Sequence, residues 1–388
     1  MTKTNNSKLF LVLFLGTLSA FGPFVTDLYL PALPYMTEYF GTSASVVQLT
    51  LTTSMMGLAL GQLVVGPISD KYGRKKPLLV SLIIYLISTV LMIIVPNIYA
   101  MIFLRLIQGL SSAGAVVISR AVATDSYEGN ELRSFFGLLM AVNGLAPIIS
   151  PVFGALLLQF VSWKGVFVTL AIIGIILLIV LQKFNESLVE EKRVKGSLLE
   201  AYSNIFLIFK NKLFMALVFI QSFAFGTMFG YISSSPFILQ TGYGVSSFVY
   251  SLIFAANGFG IMIGAKISSY LSNKKAILTA LSGLLLSSLF IAITLYIKAN
   301  VLVVEIFYFT LMISMGIMFP AISAAAMAVE RRYSGTASAI LGFFPFLFAG
   351  IVSPLVGMGD VFISTGLTLV GASAIAIIIF QIIKKKIN

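Results

Sequence analysis

From one end of the sequence to the other, apolar runs of about 20 residues or more recur, divided by short polar breaks. A run of that length crosses a hydrocarbon layer of about 30 Å as a helix. Backbone groups in lipid must find partners inside their own segment, and these runs are continuously apolar rather than alternating, so they predict helices and not barrel strands. Composition agrees. Of the 388 residues 59% are hydrophobic and 10% charged, whereas a soluble domain holds roughly 45–50% and about 25%. The fold class implied is an all-α integral membrane protein.

The apolar windows and their breakers predict twelve spans, over 8–33, 45–68, 77–95, 98–120, 134–159, 165–183, 212–238, 246–270, 276–297, 301–328, 335–357 and 362–383. With the N-terminus in the cytoplasm, nearly all basic residues fall in inner segments. Lys164 and Lys298 fall outside and Arg105 lies within a span, a division that follows the positive-inside rule and puts both termini in the cytoplasm. The expected location is therefore multi-pass in the cytoplasmic (inner or plasma) membrane. The formal charge of +12 is dispersed between spans instead of forming one stripe, which argues against a nucleic-acid partner. The first run is too long for a signal-peptide core, contains Asp27 and has no small-residue cleavage pattern after it, so the N-terminus is expected to be retained.

Cysteine is absent, which excludes disulfides and thiol nucleophiles, and histidine is absent, which leaves a carboxylate as the only candidate proton carrier. No cofactor or metal is expected. The longest polar break, about 184–211, divides six spans from six and reads as a cytoplasmic linker between residues 1–183 and 212–388. GPISDKYGRKKPLL from Gly66 echoes AKISSYLSNKKAIL from Ala265, and SPVFG at 150–154 echoes SPLVG at 353–357. The offsets, 199 and 203, are nearly equal, which predicts a duplicated six-helix unit with binding at the interface between repeats.

Five stretches carry a resemblance that covers essentially the whole chain: TDLYLPALP at 26–34, GPISDKYGRKK at 66–76, LRLIQG at 104–109, APIISPVFGA at 146–155 and SGTASAILG at 334–342. On these the chain resembles the major facilitator superfamily, and within it the twelve-span drug/proton antiporters of the Bcr/CflA type. The fifth-span stretch looks like the antiporter signature, with Ser150 and Ala155 where glycines are usual. The resemblance implies two pseudo-symmetric six-helix bundles working by alternating access. It also implies proton-coupled efflux of small amphiphilic drugs, such as chloramphenicol-like or bicyclic antibiotics. The alternatives left open are export of an endogenous metabolite or metal-chelating product, and proton-coupled uptake. The partners expected are a small-molecule substrate, protons and the bilayer around a monomer.

Asp27 lies roughly six residues from the outer end of span 1, about 9 Å deep at 1.5 Å per residue. An ionised carboxylate is costly there, so the group is suited to take up and release a proton, the role the resemblance also assigns it. Arg105 in span 4 lies at a similar level, about 10 Å deep. It is expected either to hold Asp27 ionised or to brace unpaired carbonyls, and Gln108 one turn later fits both roles. Tyr29, Gln108, Asn143, Phe223, Tyr231, Asn257 and Phe343 join Asp27 as candidates for a drug-sized pocket. Glu305 is a second possible proton site, for which a simple pair with Lys298 is the favoured reading.

Gly66, Asp70, Gly73 and Arg74 are read as a gate latch, with Asp70 placed against the N-terminal end of span 11 capped by Ser334. Gly144, Pro147, Pro151 and Gly154 are expected to thin and kink the fifth span. GMGD at 357–360 matches a pattern of intramembrane aspartyl proteases. Its aspartate lies in a short outer turn without a facing acid, so no enzyme is expected.

Overall fold

The structure, a computed structural model, describes residues 7–127, 129–193, 208–329 and 334–386. Thirteen α-helices fill these segments: α1 (Lys8–Asp27), α2 (Leu33–Phe40), α3 (Ala44–Tyr72), α4 (Lys75–Ile94), α5 (Ile98–Ser126), α6 (Gly129–Leu157) and α7 (Trp163–Gln182), then α8 (Lys212–Pro236), α9 (Ser247–Ser268), α10 (Asn273–Tyr296), α11 (Val301–Val329), α12 (Ser334–Leu355) and α13 (Val361–Ile383). Among the described residues ten segments are long and apolar enough to cross a membrane. The apolar stretches Leu145–Leu157 and Ala339–Leu355, in α6 and α12, complete the expected twelve. Of the expected linker, residues 194–207 lie outside the described segments.

Local chemistry starts the helices where the sequence breaks. Asn97 caps α5 by accepting from Ala100 N–H at 2.9 Å, and Asn211 caps α8 by accepting from Phe214 N–H at 3.1 Å. Large apolar side chains stand exposed along the helices, among them Ile83, Ile87 and Ile94 on α4 and Ile172, Ile176 and Ile179 on α7. Such surface would be an aggregation hazard in water; in a bilayer it faces acyl chains.

One boundary departs from expectation. The first span was expected over 8–33, but α1 stops at Asp27, a short 3-10 turn spans Leu30–Ala32, and α2 resumes to Phe40. Pro31 and Pro34 explain the break, since neither supplies the amide that would continue the helical ladder. The apolar segment is thus Lys8–Phe40, 33 residues long, and Asp27 stands at an internal break rather than near its outer end.

Two compact units result. The first comprises Met1–Tyr29 with Thr53–Ala201, and the second Leu30–Thr52 with Tyr202–Asn388. In the first, α1 packs on α5 and α6, and α4 on α5 and α7. In the second, α8 packs on α11, α12 and α13, while α10 packs on α11 and α13. Residues 30–52 join this unit through specific bonds: Gln48 Nε2 donates to the Ser233 carbonyl at 2.9 Å, and Tyr35 Oη lies 2.9 Å from Ser247 Oγ. The same close crossing occurs in both units. A Cβ on Gly109 would lie 2.0 Å from the Ser54 carbonyl oxygen, where α5 crosses α3, and one on Gly316 would lie 2.1 Å from that of Ile261, where α11 crosses α9. Small residues at these points let helices approach without lipid between them.

Candidate functional site

The first unit holds a polar chain at membrane depth. Asp27 ends α1 and is 5% exposed, and Thr26 Oγ1 donates to its Oδ1 at 2.8 Å. Arg105, fully buried on α5, donates through Nη1 to the Val25 carbonyl at 3.0 Å and to Gln108 Oε1 at 2.6 Å. Gln108 Nε2 passes the chain to Thr89 Oγ1 on α4 at 2.8 Å, and Thr89 donates to the Tyr85 carbonyl at 2.7 Å. The Tyr29 ring lies under the guanidinium, 4.1 Å from Arg105 Cζ to the ring centroid. The bond to the Val25 carbonyl fits the second of the two roles open to Arg105, bracing of the end of α1. Tyr29, expected at the substrate, is wholly buried beneath Arg105.

Gly154 explains how α6 reaches this level. A Cβ there would lie 1.9 Å from the Leu28 carbonyl oxygen, so any side chain would push α6 off the end of α1. The helix continues through Pro147 and Pro151, and the buried Ser150 turns its hydroxyl to the Ala146 carbonyl at 2.6 Å. Ser150 and Ala155, the departures from glycine, are both fully buried. Asn143 and Gly144 lie among the residues whose side chains fall outside the described ones.

At the lysine-rich end, the motif after α3 builds a charge hub. Gly73 adopts φ +87°, and a Cβ on it would lie 2.6 Å from the Glu186 carboxylate. Glycine here lets Glu186 reach the start of α4, where its oxygens accept from Arg74 N–H at 2.9 Å and Lys75 N–H at 3.0 Å. Arg74, 5% exposed, grips Asp125 at the end of α5 with Nε at 2.8 Å and Nη2 at 3.2 Å, and turns Nη1 to Asp70 at 2.5 Å and Ser69 Oγ at 2.9 Å. Burial lowers the Arg74 pKa, but bonds and charge from Asp125 and Asp70 outweigh it and raise the group above its ordinary value, so it stays charged.

Asp70, expected to reach the start of span 11, takes its described ion pair from Arg74 in its own unit, and the Ser334 side chain lies outside the described residues. Gly66 was expected to permit close backbone approach, yet a Cβ there would meet only Val117, at an ordinary 3.9 Å. Asp125 was missed in the sequence, where it lies 51 residues from Arg74 with no local pattern to join them. Its carboxylate is 13% exposed against 51% for Asp70. Asp125→Asn is therefore expected to lower thermal stability clearly more than Asp70→Asn, because solvent screens the outer pair; melting of the purified variants in detergent measures the difference.

The second unit brings two expected pocket residues together. Asn257 Nδ2 on α9 donates to Tyr231 Oη on α8 at 2.8 Å and to Glu305 Oε2 on α11 at 3.0 Å. The expected Glu305–Lys298 pair is not formed among the described residues. Lys298 takes a left-handed φ of 49° just past the end of α10, which carries its Nζ to 5.8 Å from the Phe362 ring centroid. Phe223 and Phe343 are half-buried members of an aromatic wall: Phe223 meets Phe348 at 4.8 Å and Phe343 meets Phe344 at 5.3 Å between centroids. Phe219 and Phe225 extend it toward Phe344 and Phe346. A cavity of about 590 Å³ in the same unit is lined by Tyr35, Glu38, Phe237, Gln240 and Phe362, and by none of the expected substrate residues. Asp360, of the GMGD sequence, is spent on capping α13 through Phe362 N–H at 2.8 Å.

A family model described as Major Facilitator Superfamily matches residues 9–354. The chain is 35% identical over 366 residues to the uncharacterized MFS-type transporter YdgK of Bacillus subtilis (strain 168), covering 92% of this chain and 90% of that one. It is 27% identical over 369 residues to the bicyclomycin resistance protein homolog of Haemophilus influenzae, covering 89% and 88%. A crystal structure of a D-xylose-proton symporter superposes with a TM-score of 0.75 at 14% identity, over 95% of this chain and 97% of that one, a likeness of fold.

Proposed function

The chain belongs to the major facilitator superfamily and is a multi-pass membrane transporter, not an enzyme; from that premise we propose that it exports small amphiphilic compounds, antibiotics among them, in exchange for protons. The observation that carries this reading is Asp27, a buried carboxyl at the broken end of α1, hydrogen-bonded by Thr26 beside the carbonyl that Arg105 holds. Protonation neutralises the group and permits one arrangement of the surrounding helices; loss of the proton favours another, and cargo entry accompanies that loss. The aromatic wall of α8 and α12 supports an amphiphilic cargo, since rings offer apolar area to varied molecules. Similarity to a bicyclomycin resistance homolog supports antibiotic export.

In this reading both termini are cytoplasmic, the moving halves are residues 1–183 and 212–388 apart from 30–52, which pack in the second unit, and the Arg74 hub braces the cytoplasmic end of the first. Pro147, Pro151 and Gly154 let α6 and α1 adjust together. The test is accumulation of chloramphenicol-like and bicyclic compounds by everted membrane vesicles whose interior is held acidic relative to the medium. Uptake that a protonophore abolishes is expected. Movement of cargo in the same direction as the protons would make the protein a symporter instead.

A further inference from the structure

Glu305 is an acid that the exchange cycle above does not use. It sits one turn inside α11, and its Oε2 accepts from Asn257 Nδ2 at 3.0 Å while Asn257 also donates to Tyr231 Oη. Its other oxygen, Oε1, is buried and has no hydrogen-bond partner among the described residues. Around it stand aromatic rings. Tyr231 meets Tyr308, one turn on from Glu305, at 4.6 Å, and Phe254 at 5.8 Å, with Tyr250 behind Phe254 at 6.0 Å. A carboxyl at membrane depth with one oxygen held and the other bare of donors requires a positive partner or a proton.

Among the described residues the neighbouring elements supply no positive partner. Tyr231 is the titratable residue that α8 turns toward Glu305, and its lysine, Lys212, starts the helix at the far end. On α9 the titratable groups are Tyr250 and, in the last turn, Lys266. From α10, Ser287 meets α11 at Thr310, Lys274 and Lys275 lie in its first turn, remote from the start of α11, and Tyr296 at its near end is exposed. No titratable residue occurs in the α12 sequence, and Lys298 is turned to Phe362.

We propose that Glu305 is a second proton-carrying carboxyl, held by Asn257 and walled by Tyr231 and Tyr308 inside the C-terminal helices. The proton binds Oε1, leaving Oε2 to accept from Asn257, and is exchanged with water. The consequence for transport, two protons available per cycle instead of one, rests on the exchange reading; proton binding at Glu305 does not.

Infrared difference spectra of the purified protein in lipid nanodiscs, recorded between acidic and alkaline buffer, test it. Wild type is expected to show two buried carboxyl C=O bands that vanish at alkaline pH. Glu305→Gln, nearly isosteric, loses one and Asp27→Asn loses the other. Asn257→Leu, which removes the donor to Oε2, shifts the Glu305 band without deleting it and serves if Glu305→Gln folds poorly. A Glu305→Gln spectrum identical to wild type overturns the proposal. So does a band that answers to replacing potassium with sodium at constant pH, which marks a metal-cation site. If Glu305→Gln removes a band and Asp27→Asn removes none, Glu305 stands and the role of Asp27 falls.

Discussion

Asp27→Asn is expected to keep substrate binding and to reduce proton-driven transport to the level of vesicles that lack the protein. The amide fills the volume of the carboxyl and still accepts from Thr26 Oγ1, so the end of α1 keeps its local bonding. It cannot take up a proton. Equilibrium binding of a transported compound, set beside its uptake by everted vesicles, separates the two effects, since a variant that loses only the coupled step keeps its affinity. Efflux equal to wild type in this variant would remove Asp27 from the mechanism.

Arg105→Ala is expected to be the most damaging single change to the first unit, lowering both thermal stability and transport. The guanidinium makes two charge-assisted hydrogen bonds, to the Val25 carbonyl and to Gln108 Oε1, each worth about 1.5–3 kcal/mol. Its stacking on Tyr29 adds about 2 kcal/mol where water is excluded. Removal strands the Val25 carbonyl at the break in α1 and empties a fully buried volume. Arg105→Lys restores at most part of the loss, because a lysine ammonium is a point charge without the planar fork that serves carbonyl, amide and ring together. Melting temperature and vesicle transport of the three proteins read the two effects separately. A lysine variant equal to wild type in both would reduce Arg105 to a charge without a geometric role.

The fold was legible because its determinants are local. Apolar run length fixes which segments cross the bilayer, and the prolines, glycines and capping polar residues mark where helices stop. The first span was placed over 8–33 because Leu28, Leu30, Ala32 and Leu33 keep the segment apolar, so hydropathy runs on where Pro31 and Pro34 interrupt the ladder. At the site, residue types were readable and partners were not. Charges at membrane depth marked Asp27, Arg105 and Glu305, and the bracing of a carbonyl was one of two roles read for Arg105, but no side-chain pattern announces that the carbonyl is that of Val25. Glu305 chose Asn257, 48 residues away, over the nearby Lys298, because a left-handed turn carries that lysine elsewhere. Likewise Asp70 and Arg74 lie one turn apart and were read together, whereas Asp125 and Glu186 join them only through the packing of α4, α5 and α7.

The exchange of cargo for a proton on Asp27 is tested most directly by proton release. Purified wild-type protein in weakly buffered detergent solution, mixed with a panel of chloramphenicol-like and bicyclic compounds beside a pH-sensitive dye, is expected to release protons with each compound that binds and none with the rest. The Asp27→Asn protein should bind the same compounds and leave the dye unchanged at that step. Release of equal size from Asp27→Asn, or binding to wild type without any release, would contradict the account.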